Sequence, residues 1–140
     1  MIEQIHVFDF DDTLFDTFNT ETFIDEICNV AKSSIDNPTV ATALCTARRG
    51  EKETVIRTKS LLKNKGLVFD YHIFKPEDFD YENYVFKELY ISKLIDKFPS
   101  AAVLAFWDDC DLNLNHVKTS VTEKGLSYIP IKCGPKPINN

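Results

Sequence analysis

Three aspartates, Asp9, Asp11 and Asp12, follow directly on an apolar run containing Ile5, Val7 and Phe8. The run reads as a buried strand, and open α/β sheets bind ligands in the crevice beyond the carboxyl ends of their strands. Carboxylates this close repel one another unless a hard cation with oxygen ligands offsets them, so the stretch asks for magnesium. The plainer alternative is a polar turn in which an aspartate caps the next helix. Two more runs end in polar groups. Residues 40–45 lead to Thr46 and Arg48, and residues 101–107 lead to Asp108 and Asp109. One sheet edge carrying all of these would hold a nucleophile, a metal site and phosphate donors together.

The elements that must position these groups alternate along the chain. After the first strand, Thr20 is a candidate N-cap, with Thr22, Phe23, Ile24, Ile27, Val30 and Ala31 spaced for a helix that runs to about Lys32 or Ser33. Residues 33–38 have turn chemistry and precede the second strand. A helix over 51–65 has early acids and late lysines that match the helix dipole, and Gly66 closes it. A short strand within 67–76, a helix over 81–98 stopped by Pro99, the strand over 101–107, a helix over 111–124 and a last strand over 126–132 follow. This order implies an α/β fold: a small three-layer Rossmann-like sandwich with a mostly parallel sheet and helices on both faces. One domain over residues 1–133 and a loose tail over 134–140 are expected. The space between Thr13 and Thr46 holds one helix and some loop, which leaves no lid domain after the first strand.

Composition sets outer bounds. A chain of 140 residues that is 44% hydrophobic and 12% aromatic can bury the core of one domain. A net charge of −6 argues against a broad electrostatic grip on nucleic acid, although a local basic patch could hold one strand end. Cys28, Cys45, Cys110 and Cys133 show no paired spacing, which fits reduced thiols in a cytoplasmic protein and makes zinc an unsuitable reading. No apolar run reaches the roughly 18 residues of a membrane span, so a membrane is not an expected partner. Oligomeric state is not legible.

With these residues in view, the chain resembles the haloacid dehalogenase (HAD) superfamily of aspartyl-phosphate phosphatases over nearly its whole length. The stretch DFDDT, residues 9–13, is similar to that superfamily's first motif, Thr46 to its second, and WDDCD, residues 107–111, to its fourth. The resemblance implies that Asp9 is the nucleophile and Asp11 the general acid and base. An acid at position 11 is like the phosphatase and phosphomutase branches rather than the dehalogenases or ion pumps. Magnesium would be held by Asp9, Asp11 through its backbone carbonyl, and Asp108, with Asp109 acting through water. Thr46 and Arg48 would bind substrate phosphate. Asp12 stands where many relatives have glycine and reads as a turn group.

The third motif is a lysine that balances charge at the nucleophile, and two candidates compete. Lys75 lies in FKP after a strand, and Lys87 lies in YVFKELY near a helix start. Their arrangement resembles the 3′-phosphatase domains of polynucleotide kinases and the RNA-repair HAD phosphatases, and this favours Lys87, with Lys75 close to substrate as a phosphate-binding group. Asn83 departs from that pattern, since those phosphatases often carry an acid there. The implied function is a Mg2+-dependent phosphomonoester hydrolase working through an aspartyl phosphate, with 3′-phosphorylated nucleic-acid ends as one substrate class. A nucleotide or small-metabolite phosphatase is the alternative enzyme, and a phosphate-binding interaction module the non-enzymatic one. His6 and His72 read as packed strand residues. The cationic helix with Lys52, Arg57, Lys59, Lys63 and Lys65 reads as a solvated face or, more sharply, a nucleic-acid guide.

Overall fold

The computed structural model describes residues 1–134. At its centre lies β1 (Gln4–Phe8), paired in parallel with β4 (Val40–Arg49) on one side and β6 (Val103–Asp108) on the other. Beyond them, β5 (Tyr71–Lys75) and β7 (Ser127–Lys132) form the parallel edges, giving the order β5-β4-β1-β6-β7. The chain builds outward from β1 to β4 and β5, then returns to add β6 and β7. That reversal is the kind of switch point at which open α/β sheets leave a crevice.

Both faces of the sheet are covered, as parallel strands require. Side chains alternate along each strand, so Ile5, Val7, Ala43, Cys45, Leu104 and Phe106 join one core cluster, and Phe8, Leu44, Ala105 and Trp107 join the other. The first cluster packs against α3 (Asn83–Asp96) and α4 (Asp111–Glu123) through Phe86, Ile91, Leu114 and Val117. The second packs against α1 (Asp25–Asp36) and α2 (Lys52–Asn64) through Cys28, Ala31 and Leu62. The expected three-layer α/β sandwich is the observed one.

The structure departs from the expected elements in places. No helix starts at Thr20: residues 15–23 form a two-stranded antiparallel ribbon of β2 (Phe15–Asp16) and β3 (Thr22–Phe23). Aromatic packing outweighs the helical spacing here, because Phe23 meets Phe10 and Phe15 edge-on at centroid distances of 6.3 and 5.1 Å. The turn closes with Glu21 at φ 53° and its N–H donating to the Asp16 carbonyl at 2.8 Å. At the other end of α1, Ser33 to Asp36 are helical rather than a turn. Ser34 is buried there, its hydroxyl 2.7 Å from His6 Nδ1 and 3.2 Å from the Val30 carbonyl. β5 begins at Tyr71 because the Asp70 carboxylate accepts the Thr42 N–H at 2.9 Å, taking the place of a ladder bond. The ribbon is the sole element between β1 and α1 among the described residues, so the fold has at most a minimal cap. Of the expected tail, residues 135–140 lie outside the described residues. Among those described, no helix is long and apolar enough to cross a membrane.

Candidate active site

β1 extends its ladder by one bond, Asp9 N–H to the Trp107 carbonyl at 2.9 Å, and then turns. The Phe10 carbonyl accepts the N–H groups of Thr13, Leu14 and Phe15, closing a tight loop. Asp12 takes the left-handed conformation at φ 58°, which a short carboxylate tolerates, and its Oδ1 accepts the Thr17 N–H at 3.3 Å. Asp12 is therefore the turn group of this loop. Thr13 is fully buried and donates to Asp9 Oδ2 at 3.3 Å, which fixes the carboxylate's angle.

The loop leaves Asp9 and Asp11 in different company. Asp9 is 5% exposed and accepts the Lys87 ammonium on Oδ1 at 2.8 Å, and the same ammonium donates to Asp108 Oδ2 at 2.7 Å. Lys87 reaches this position because the N-terminal part of α3 packs directly over the sheet; its neighbour Phe86 is a core residue. Asp108 is fully buried, and its Oδ1 also accepts the Cys110 N–H at 2.9 Å, with Asn113 Nδ2 at 3.3 Å from Oδ2. Asp11, by contrast, accepts the forked guanidinium of Arg48, with Nε at 3.1 Å and Nη2 at 2.8 Å, and the Thr17 hydroxyl at 2.6 Å. Arg48 lies over the Phe10 ring at 4.6 Å and donates to Thr58 Oγ1 at 3.2 Å.

Electrostatics at the centre are set by burial. Burial pushes the Asp9 carboxyl above its ordinary range, the Lys87 ammonium pulls it back, and Asp108 and Asp109 add to the rise. For Lys87, burial alone would favour the neutral amine, but Asp9 and Asp108 reverse this and hold the ammonium charged. Asp109 is raised by burial and then by Asp108. Asp9, Asp108 and Asp109 each offer a carboxylate oxygen, and these oxygens lie within 4.8 Å of one another. Three hard oxygen donors against one ammonium is a donor set suited to a divalent cation such as Mg2+.

A cavity of about 480 Å³ opens over these groups, with Asp9, Asp11, Arg48, Lys87 and Asp109 on its wall. Asp108 lies behind them. Thr46 is also behind the wall, fully buried at the end of β4, where its Oγ1 accepts the Arg48 N–H at 3.2 Å. Lys75 stands off the cavity: it is 6% exposed and donates to Asn83 Oδ1 at 3.0 Å, so its link to the wall runs through Asn83. Of the two competing lysines, Lys87 is the one that touches Asp9. Asn113, a site residue absent from the sequence expectations, stands five residues after Asp108 on the first turn of α4, a spacing that signals it. Thr17 and Phe10 are absent from those expectations too, because their contacts with Asp11 and Arg48 depend on how the loop folds.

No curated protein is significantly similar in sequence. In overall fold the chain is similar to a chain of the Pnkp1/Rnl/Hen1 RNA repair complex, with TM-score 0.70 and 17% identity over 95% of this chain and 43% of that one. A further structure of a Pnkp1/Rnl/Hen1 complex gives TM-score 0.66 and 19% identity, covering 96% of this chain and 47% of the other, so the chain spans under half of these neighbours. The HAD domain of the effector protein Lem4 from Legionella pneumophila matches with TM-score 0.66 and 12% identity over 98% of this chain and 89% of that one. Residues 10–131 match the profile of HAD domain family 1 in Swiss Army Knife RNA repair proteins. The chain belongs to that family, and with it to the HAD superfamily.

Proposed function

We propose that the protein is a Mg2+-dependent phosphomonoesterase working through an aspartyl phosphate on Asp9, with phosphorylated nucleic-acid ends, 3′-phosphorylated ends foremost, as substrates. The observation that carries this reading is the Lys87 ammonium bridging Asp9 and Asp108 at 2.8 and 2.7 Å beside Asp109. A site retired to mere phosphate binding has no physical need to keep such costly like charges together. Membership in a HAD family of RNA repair proteins supports phosphatase-type chemistry.

In this reading Asp9 attacks phosphorus in line, and the bond to the leaving oxygen breaks as Asp11 gives that oxygen a proton. Asp11 then takes a proton from water, whose oxygen attacks the acyl phosphate and frees inorganic phosphate and Asp9. Lys87 balances charge on Asp9 throughout. Arg48 holds phosphate oxygens, Thr46 behind it positions Arg48 by accepting its N–H, and Lys75 acts through Asn83. Asp9, Asp108 and Asp109, with the Asp11 carbonyl, would hold Mg2+, which supplies charge neutralisation to the transferring group. Residues 1–133 act as one domain, and the reduced cysteines suit a cytoplasmic setting.

A specific observation favours a second reading, a nucleotide or small-metabolite phosphatase. The cavity wall carries the carboxylates of Asp9, Asp11, Asp12, Glu82 and Asp109 against only Arg48 and Lys87, which suits a substrate with a single phosphate. A panel of nucleotides, sugar phosphates and 3′- or 5′-phosphorylated oligonucleotides with and without Mg2+ tests both. Phosphate release only with Mg2+, fastest from 3′-phosphorylated ends, is expected. Metal-independent release, or none from any member, would overturn the proposal.

A further inference from the structure

The cavity has two tiers. Below are the charged groups; on the same wall, Phe18, Tyr84 and Leu112 take part in no step of the chemistry proposed above. Phe18 is 78% exposed and Leu112 50%, a large apolar surface to leave in water beside a phosphate site. The backbone turn that carries Phe18 is held in place. The Asp16 carboxylate accepts the Asn19 N–H at 3.3 Å and the Thr20 hydroxyl at 3.0 Å, and the Thr17 hydroxyl is bonded to Asp11. The ribbon that displays Phe18 is thereby tied to the candidate acid. Tyr84, at the start of α3, is stacked on His116 with ring centroids 4.2 Å apart and planes 24° off parallel, which fixes its ring.

Charge decides what such a rim can receive. A strand running through the cavity would bring several phosphates against a wall on which carboxylates outnumber cations. A single phosphate with a flat, uncharged group attached brings only one anionic group to that wall. The cavity volume of about 480 Å³ lies in the range of sites that enclose a small ligand, well beyond what phosphate needs. Every nucleobase presents a π-face, so stacking would accept any base.

We propose that Phe18, with Tyr84, forms a base-stacking subsite for the one nucleotide that carries the scissile phosphate, leaving the rest of any strand outside the cavity. The proposal rests on the phosphomonoesterase reading and narrows its substrate to a terminal nucleotide. A phosphotyrosyl side chain also pairs one phosphate with one ring; the family's place in RNA repair favours the base.

Calorimetric titration of the Asp9→Asn protein in Mg2+, which separates binding from turnover, tests this. A nucleoside 3′-monophosphate should bind about tenfold or more tighter than the abasic sugar phosphate. Phe18→Ala on the same background should cut that preference to within about threefold, and Phe18→Trp should restore it. The kcat/KM ratio for the two compounds, measured without the Asp9 substitution, should move in parallel. Equal binding of the two compounds, or a preference untouched by Phe18→Ala, would overturn the subsite even if turnover is normal. A Phe18-dependent preference without turnover keeps the subsite and sinks the catalytic reading. Tighter binding of a phosphotyrosyl peptide than of the nucleotide would overturn the nucleotide assignment. An oligonucleotide bound more than about tenfold tighter than its own terminal nucleotide would overturn the restriction to one nucleotide.

Discussion

Lys87 and Arg48 are both cations gripped by aspartates at the same end of one sheet, yet they live in different solvents. The Lys87 side chain is 2% exposed between Asp9 and Asp108, whereas Arg48 and Asp11 are 20% and 29% exposed. A buried ammonium between two buried carboxylates cannot trade partners without stranding a charge, so it is a fixed counter-charge. A guanidinium at the cavity wall can exchange a carboxylate for a phosphate at little cost, since water covers the interval. One region is built to hold still and the other to change hands. Under the proposed mechanism this division would suit a nucleophile that must be ready and an acid that must be released when substrate arrives.

The largest effect that could break this contrast is at Lys87. Lys87→Ala leaves Asp9 and Asp108 facing each other in the dry interior, and should cost about 3–5 kcal/mol in a denaturant melt of the metal-free protein. Turnover on a minimal aryl phosphate should fall by about a hundredfold or more. A mild effect on both would mean that the two carboxylates are not jointly dependent on this lysine.

Arg48 should behave differently. Arg48→Ala should cost only about 1 kcal/mol in the same melt, because the pair is partly solvated. Turnover should nonetheless drop about tenfold to a hundredfold as Asp11 and the phosphate lose a shared guide. Lysine should not restore it, lacking the fork that spans both Asp11 oxygens. A stability loss equal to that of Lys87→Ala would erase the distinction between the two regions.

A titratable group with uncharged partners gives a smaller effect of known sign. His6 on β1 lies between Ser34 Oγ at 2.7 Å and Gln4 Oε1 at 2.9 Å, and burial holds it below its ordinary value of 6.5. The unfolded chain takes up a proton there that the folded one refuses. Stability contributed by the neutral ring is thus complete above 6.5 and declines as pH falls below it. Thermal melts from about pH 7 to about pH 5 should show a decline that His6→Gln flattens, with His72, also lowered by burial and then by Lys59, accounting for part of the remainder. The smallest effect lies at the surface pair of Lys124 and Asp96, which are 36% and 62% exposed. Lys124→Ala should stay within about 0.5 kcal/mol of the parent, completing the trend of ion-pair strength with burial.

What the sequence made legible follows the same line between local and distant causes. An apolar run that breaks into carboxylates is a local signal, and Asp9, Asp11, Asp108 and Asp109 lie at or just beyond the ends of β1 and β6. Lys87 stands 78 residues from Asp9, and only a resemblance could single it out. The ribbon at residues 15–23 is not legible in the sequence, because Thr22, Phe23, Ile27 and Ala31 keep helical spacing while Phe23 is claimed by Phe10 and Phe15. The wall shared by Phe18 and Tyr84 was invisible for a similar reason, since it joins a ribbon and a helix far apart in the chain.

In the proposed mechanism a carboxylate oxygen of Asp9, held by Lys87, is the nucleophile that attacks phosphorus. The most direct measurement is mass spectrometry of rapidly acid-quenched Asp11→Asn protein after exposure to an aryl phosphate and Mg2+. This substitution leaves the attack possible on a good leaving group but slows water's part. The account predicts one phosphoryl adduct, on the peptide containing Asp9, and none when Asp9→Asn is added. Sustained turnover by the Asp9→Asn protein, or an adduct on any other residue, would contradict it.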